Sequence, residues 1–308
     1  KMNTYGGKPV FTCEAPGHSS IAYSEERVGR YYKISLFSNL LSGSTGVMPW
    51  VFNDFERSIW GQRPLDGYTI ESGFGIVTVD GRLKPAGAEL RDFARFVKEN
   101  DMGRYRPRPR DMAIMIPEGY YEKVSHCAEK IYTSYLLAKG NGVDVDLLWS
   151  NADFSAYTLL LIPATAQITT SVWNKIRQYV EDGGNIYYVY DGPEGLNGYF
   201  NELFGVEVQT SEKDYGYDTL IMNQKWGLWS QGDSADLTGC GRTQVLRVTP
   251  RTACVISKFA DGTPAVLKNR YGEGCAYLAA SPLENGLLWI RRDEFIQSTC
   301  FRMYDALF

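Results

Sequence analysis

Apolar and polar positions follow two different periods in the first hundred residues. Residues 24–41 place apolar side chains near i, i+3 and i+4, and Ser24 followed by two acids is typical of a helix N-terminus. A short apolar run precedes this stretch at 8–14, and another follows it at 46–55. The order predicts a strand, a helix and a strand, which is a βαβ unit. Residues 83–97 predict a second amphipathic helix.

The pattern changes beyond residue 110, where the apolar runs become nearly continuous and alternate with helical stretches. The expected strands are 111–117, 143–148, 157–162 and 185–190, and the expected helices are 121–139 and 170–181. Buried strands that alternate with helices are typical of a parallel, doubly wound sheet. From residue 213, short alternating runs with Gly, Asp and Asn turns predict a small antiparallel β unit, and a last helix is expected over 293–306.

These changes divide an α/β protein into three expected domains. Residues 1–103 hold the βαβ unit, residues 111–212 the doubly wound domain, and residues 213–308 a small β-rich domain with a terminal helix. Between the first two, residues 104–110 alternate Arg with Pro, which favours an extended linker.

Composition excludes several classes of function. The 308 residues carry a formal net charge of −4, which offers no basic face to a nucleic acid. No apolar run approaches the ~20 residues of a membrane span. The six cysteines are scattered, without a CxxC pair or a zinc-like spacing. We therefore expect no nucleic-acid, membrane or metal partner. An aromatic content of 14% is common in sugar-binding proteins, but composition alone favours a well-packed α/β core as its explanation.

Polar and aromatic side chains follow both strands of the βαβ unit. Glu14 follows the run KPVFTC and lies two residues before a Pro-Gly break. Trp50 follows the run GVMP, and Asn53 and Asp54 come shortly after it. The carboxyl ends of parallel strands carry the chemistry of α/β folds. These two segments resemble the last two barrel strands of the clan A glycoside hydrolases, most closely family 5 and its relatives.

This resemblance implies that Glu14 is the nucleophile of a retaining β-glycosidase and that the Trp50 ring forms the floor of the sugar subsite. The positions of four further residues make them candidate substrate contacts: Asn53, Asp54 and His18 at the same rim, and Trp60 in the long loop that follows. The residues themselves leave other roles open: an ordinary salt-bridged Glu14, a Trp50 packed in the core, and polar residues that cap loops. No cofactor is expected, because two carboxylates suffice for the reaction.

A complete (β/α)8 barrel needs ~250 residues, and the first domain supplies about a quarter of one. The sequence starts at Lys1 without a signal-like segment, so we expect the C-terminal portion of a longer enzyme. The resemblance places the acid/base Glu on the fourth barrel strand, which this chain lacks, so the chain alone is expected to be inactive. The substrate stays open among β-mannosides, β-glucosides and β-galactosides.

The second domain resembles the amidotransferase-like (flavodoxin-like) domain that follows the barrel in family 42 β-galactosidases and some family 5 β-mannosidases. In those enzymes it mediates trimerisation, which implies a homotrimer here. Class I amidotransferases need a nucleophilic Cys on a strand-to-helix turn and a later His. The turn at 163–166 holds no Cys, and no His follows His126, so amidotransferase activity is excluded. The alternative to an enzyme is a non-catalytic assembly module that retains a remnant of the barrel.

Overall fold

A computed structural model describes residues 9–15, 17–55, 71–105, 110–165, 167–213, 219–237, 244–284 and 298–308. The chain divides into two compact units, Lys1–Arg108 and Pro109–Phe308. The division falls inside the segment 104–110 that the sequence predicts as a linker.

The first unit is built on strand β1 (Phe11–Cys13), helix α1 (Glu25–Leu41), strand β2 (Gly46–Met48) and helix α2 (Pro85–Glu99). The two strands pair in parallel, with Cys13 opposite Met48, so the predicted βαβ unit is confirmed. The Ser24 side chain accepts a hydrogen bond from the Arg27 amide and caps α1. A small buried cluster holds the two helices and the segment before α2 together: Val28, Tyr32, Ile76 and Ala86.

The second unit contains eleven strands among its described residues. The first six are β3 (Met112–Ile116), β4 (Asp146–Trp149), β5 (Leu159–Ile162), β6 (Asn185–Val189), β7 (Val206–Lys213) and β8 (Thr219–Met222). The other five are β9 (Ser234–Asp236), β10 (Gln244–Pro250), β11 (Cys254–Phe259), β12 (Pro264–Tyr271) and β13 (Gly274–Ala279). The helices are α3 (Val124–Gly140), α4 (Thr170–Glu181), α5 (Phe200–Phe204) and α6 (Thr299–Leu307).

Nine of these strands form one sheet in the order β4-β3-β5-β6-β13-β12-β11-β8-β9. The pairings from β4 to β13 are parallel and those from β13 to β9 are antiparallel. Strands β7 and β10 form a separate antiparallel pair. The parallel half confirms the predicted α/β architecture.

Helices cover both faces of the parallel half. Tyr187 and Tyr188 are successive residues of β6, so their side chains point to opposite faces. The Tyr188 ring lies 5.4 Å from the Trp173 ring of α4, whereas the Tyr187 ring lies 5.7 Å from the Tyr304 ring of α6. This two-sided cover is the doubly wound arrangement that the continuous apolar strands predict.

The sheet continues across residue 213, where the sequence predicts the start of a separate β domain. Strand β13 pairs in parallel with β6, with Cys275 opposite Asn185 and Ala279 opposite Val189. The antiparallel strands thus extend the parallel sheet and share one compact unit with it. The change near residue 213 from continuous apolar runs to alternating ones is a local feature of the sequence. The pairing of β6 with β13 joins segments far apart in sequence, so the local change does not reveal it. Among the described residues, no helix is long and apolar enough to cross a membrane.

Candidate active site

The tips of β1 and β2 lie at the same edge of the first unit, because the two strands are parallel and in register. Glu14 follows β1 directly, and its side chain is exposed. Its backbone has φ +58°, a left-handed conformation that costs a non-glycine residue about 1–2 kcal/mol. Such backbone positions gather at functional sites. The sequence-predicted carboxylate therefore stands at a solvent-accessible strand tip.

Trp50 lies two residues beyond β2, and its side chain is 42% exposed. A cis peptide bond joins it to Val51. Asn53, further along the same loop, is also exposed and forms an isolated bridge with Val77. The exposed ring and the exposed amide leave both residues available for the substrate contacts that the sequence predicts.

His18 lies on the loop that leaves β1 and stacks on two tyrosines. Its ring is 3.7 Å from the Tyr31 ring with an interplanar angle of 19°, and 5.6 Å from the Tyr23 ring. Its Nδ1 lies 3.0 Å from the Gly17 carbonyl oxygen. A carbonyl oxygen only accepts, so Nδ1 carries the proton in this contact. The stack fixes the plane of the imidazole. The contact of this side chain with a sugar hydroxyl stays a prediction.

Asp54 is held by protein groups on both carboxylate oxygens. Lys84 Nζ donates to Oδ1 at 2.8 Å and to Oδ2 at 3.1 Å, and the Gly75 amide donates to Oδ1 at 2.8 Å. The Asp54 side chain is 14% exposed. Of the two acids that the sequence places at these strand tips, Glu14 is thus the exposed one. Trp60, the remaining predicted contact, lies outside the described residues.

Two titratable groups of α1, Glu25 and Tyr32, have perturbed pKa values. The hydrogen bonds from Arg82 to Glu25, at 2.8 and 2.9 Å, lower the pKa of the Glu25 carboxyl. Burial raises the pKa of Tyr32 to about 12, so this phenol stays neutral and serves the packing of α1. Neither group lies at a strand tip.

Sequence reasoning missed Lys84, whose side chain is 2% exposed. A signal was available: Lys84 is the N-cap residue of α2, and the positive end of a helix dipole disfavours a cation there. A lysine in that position implies a nearby anion, which the structure identifies as Asp54.

Metal chemistry has no candidate centre in the described part of the chain, where no three His, Cys, Asp or Glu residues cluster in a way that could hold an ion. The arrangement can perform the chemistry of one accessible carboxylate beside an exposed aromatic ring. A retaining glycosidase pairs such a carboxylate with a second one about 5–5.5 Å away.

Comparison with known proteins finds a family described as the β-galactosidase trimerisation domain, which matches residues 119–291. The β-galactosidase LacA of Lactobacillus acidophilus is 28% identical over 159 residues, 46% of this chain and 22% of that protein. The β-galactosidase GanA of Bacillus subtilis is 22% identical over 188 residues, 56% of this chain and 26% of that protein. The chain thus spans about a quarter of the length of these relatives.

Solved structures share the fold. An exo-β-1,4-mannosidase from Opitutaceae bacterium strain TAV5 matches with a TM-score of 0.71 and 18% identity, over 91% of this chain and 50% of that one. The β-galactosidase from Bacillus circulans sp. alkalophilus matches with a TM-score of 0.68 and 16% identity, over 91% of this chain and 44% of that one. These matches confirm the fold class that the sequence predicts for the C-terminal portion of such enzymes.

Proposed function

This chain belongs to the family of β-galactosidase trimerisation domains, and from that membership we propose that it is the C-terminal portion of a retaining β-glycosidase. A β-galactoside is the first substrate to test, because the relatives LacA and GanA are named β-galactosidases. The intact enzyme would need the remaining barrel strands, which also supply the acid/base carboxyl. Its partners would be a β-linked glycoside and further copies of itself.

The exposed Glu14 at the tip of β1, beside the tip of the parallel strand β2, carries this proposal. In the first step the Glu14 carboxylate attacks the anomeric carbon and forms a glycosyl ester, while the second carboxyl protonates the departing oxygen. In the second step that group takes a proton from water, which attacks the anomeric carbon and releases Glu14.

Trp50 would stack against the apolar face of the sugar in this reaction, and Asn53 and His18 would bond its hydroxyls. Trp60, which lies outside the described residues, is a further candidate contact. Asp54 has the weakest case for a direct sugar contact, because Lys84 and the Gly75 amide already engage its carboxylate.

The second unit would serve assembly rather than chemistry. The described residues after β5 read Pro163-Ala164-Thr165, without the nucleophilic Cys of an amidotransferase. The described residues of this unit nevertheless form a nine-stranded sheet and a buried apolar core. Membership of a family described by trimerisation supports a homotrimer built through this unit.

The test uses the enzyme that contains the whole barrel, with aryl β-galactoside, β-glucoside and β-mannoside as substrates. Glu14→Gln keeps the size of the side chain but removes the nucleophile, so turnover should fall by several orders of magnitude. Glu26→Gln, at an exposed position on α1, is the matched control and should retain the wild-type rate. An unchanged kcat in Glu14→Gln would refute the assignment.

A further inference from the structure

The Lys84 ammonium group sits where three backbone segments of the first unit meet. Its Nζ donates to Asp54 on the loop after β2, to the Ser20 hydroxyl at 2.8 Å on the loop after β1, and to the Gly73 carbonyl at 3.1 Å. An ammonium group has three protons to donate. Each proton therefore has an acceptor on a different segment.

The three segments are also bonded to one another around this cation. The Gly73 carbonyl accepts from the Ser20 amide at 3.0 Å and from the Ser20 hydroxyl at 3.0 Å. Asp54 accepts from the Gly75 amide through its side chain, and its own amide donates to the Val77 carbonyl at 2.8 Å. The network is closed, so a shift of one loop requires the others to move.

Two glycines let the segments approach closely enough for this network. A Cβ on Gly75 would lie 2.1 Å from the Asp54 nitrogen, and a Cβ on Gly73 would lie 2.7 Å from the Ser19 hydroxyl oxygen. Both distances are far below a normal contact. The chain therefore has no room for a side chain at either of these two positions, where the segment runs close to the strand-tip loops.

The two loops that Lys84 joins carry the candidate site. The loop after β1 begins at Glu14, holds His18 and reaches Ser20, while the loop after β2 holds Trp50 and Asn53 directly before Asp54. Burial of a cation is expensive unless an anion and full hydrogen bonding offset the lost hydration. At 2% exposure this cation satisfies that condition through Asp54 and its two neutral acceptors.

We propose that Lys84 and Asp54 form a buried ionic clamp that positions Glu14 and Trp50 against each other, and that Asp54 acts through Lys84 instead of on the sugar. The expected effect of the clamp on the reaction rate rests on the proposed glycosidase function. Its expected effect on the rigidity of the two loops does not. Rate enhancement in enzymes depends on placement of reacting groups, and displacement by about 1 Å can reduce the rate about 10²-fold.

The structural arm of the test measures amide hydrogen exchange in this chain. Lys84→Met removes the charge and keeps the length of the side chain, and Asp54→Asn keeps the shape and the acceptor for Gly75. In Lys84→Met the Gly75 and Asp54 amides should exchange about tenfold faster, the loss of roughly one charged hydrogen bond. The amides in the middle of α1 should not change. Lys98→Met, at an exposed position on α2, is the control and should exchange like the wild type.

The catalytic arm uses the intact enzyme at a temperature where circular dichroism shows every variant folded. We expect kcat/KM to fall about 10²-fold in Lys84→Met, with a loss in the same direction for Asp54→Asn. The double variant should lose no more than Lys84→Met, because the pair acts as one unit. A purely structural lysine would lower the unfolding temperature and leave kcat and KM of the folded enzyme unchanged.

The outcomes separate the clamp from the proposed function. Unchanged exchange at Gly75 and Asp54 in Lys84→Met would overturn the clamp, and faster exchange with a wild-type kcat/KM would overturn its positioning role. If Lys84→Met does not fold, Asp54→Asn decides both questions. It removes the charge that holds the Lys84 ammonium group, so the Gly75 amide should again exchange faster and kcat/KM should again fall. Wild-type activity of Glu14→Gln would instead refute the nucleophile, while the exchange data would still decide whether Lys84 joins the loops.

Discussion

The Tyr304 hydroxyl of α6 donates a hydrogen bond of 3.1 Å to the Glu284 carboxyl, which is 1% exposed. The same hydroxyl lies 2.7 Å from the Ser134 hydroxyl of α3. Burial raises the pKa of Glu284 to about 7. Among the described residues, the groups that face it are Tyr304 from α6, Tyr187 from β6 and Lys130 from α3. Burial raises the pKa of both tyrosines well above the usual phenol value, so both are neutral at the pH where Glu284 titrates.

The first prediction is a pH dependence of stability that Glu284 causes. In the unfolded chain a glutamate has a pKa of about 4.3, so between about pH 4.3 and 7 the folded state holds a proton that the unfolded state lacks. The free energy of unfolding should therefore decrease as pH rises through this window, by about 3 kcal/mol from this group.

Glu284→Gln should remove that contribution, because an amide does not titrate. The measurement is denaturant unfolding of wild type and variant at about pH 5 and about pH 7.5. Other carboxyls contribute slopes of their own, such as Asp261, whose pKa is lowered. The difference between the two proteins isolates Glu284. Equal slopes in both proteins would contradict the prediction.

A second prediction concerns the ion pair between Lys130 of α3 and Asp191, which follows β6. Their side chains are 4% and 1% exposed, and burial lowers the pKa of Lys130. Lys130→Met leaves a buried carboxylate without its cation, so the free energy of unfolding should fall by about 3–5 kcal/mol.

Lys139→Met on the same helix is the matched control. Lys139 also pairs with an aspartate, Asp144, but the two side chains are 42% and 57% exposed. An exposed pair contributes about 0–1 kcal/mol. Urea unfolding of both variants checks the contrast. Equal losses would mean that burial does not control the strength of these pairs.

Local patterning was sufficient for the elements that local contacts specify. The helix over 24–41 and its flanking strands follow from periodicity and from the Ser24 cap, and the structure pairs the strands as predicted. The position of Glu14 at a strand tip also follows, because a Pro-Gly break ends the apolar run. Its catalytic role stays a prediction, because neither the described contacts nor the comparisons test it.

Long-range contacts explain what the sequence did not reveal. The pairing of β6 with β13 joins the parallel and antiparallel regions, and neither strand alone indicates its partner. Lys84 has the pattern of an ordinary surface lysine before Pro85, yet its acceptors lie on Ser20, Asp54 and Gly73. Only the N-cap position, which disfavours a cation, pointed to an unusual environment.

A third prediction separates two glycines that share a left-handed backbone. Gly205 ends α5 with φ +64°, and an added Cβ would lie 2.4 Å from Asn269 Oδ1 and from Thr252 Oγ1. Asn269 is buried and donates to the Leu203 carbonyl at 3.0 Å, so it has little freedom to retreat. Gly205→Ala should lower the free energy of unfolding by about 2–4 kcal/mol.

Gly232 has φ +87° and open space at the Cβ position. Gly232→Ala therefore incurs only the backbone strain, about 1–2 kcal/mol. Urea unfolding of the two variants measures the difference, which is the contribution of the crowded contact. A loss in Gly232→Ala as large as that in Gly205→Ala would place the whole effect in the backbone conformation.

The last prediction is the assembly of the intact enzyme into a homotrimer, with contacts from residues 111–210 of the second unit. This unit has no amidotransferase nucleophile among its described residues. We therefore expect its surface to serve association rather than that chemistry. Identical subunits that associate usually form closed cyclic assemblies, and a stable interface buries more than about 1,000 Å².

Multi-angle light scattering at micromolar concentration should give three times the subunit mass for the wild type. Glu14→Gln should give the same mass, because that residue lies in the other unit. A monomer mass would refute the trimer, and a trimer without turnover would leave assembly as the function of this chain.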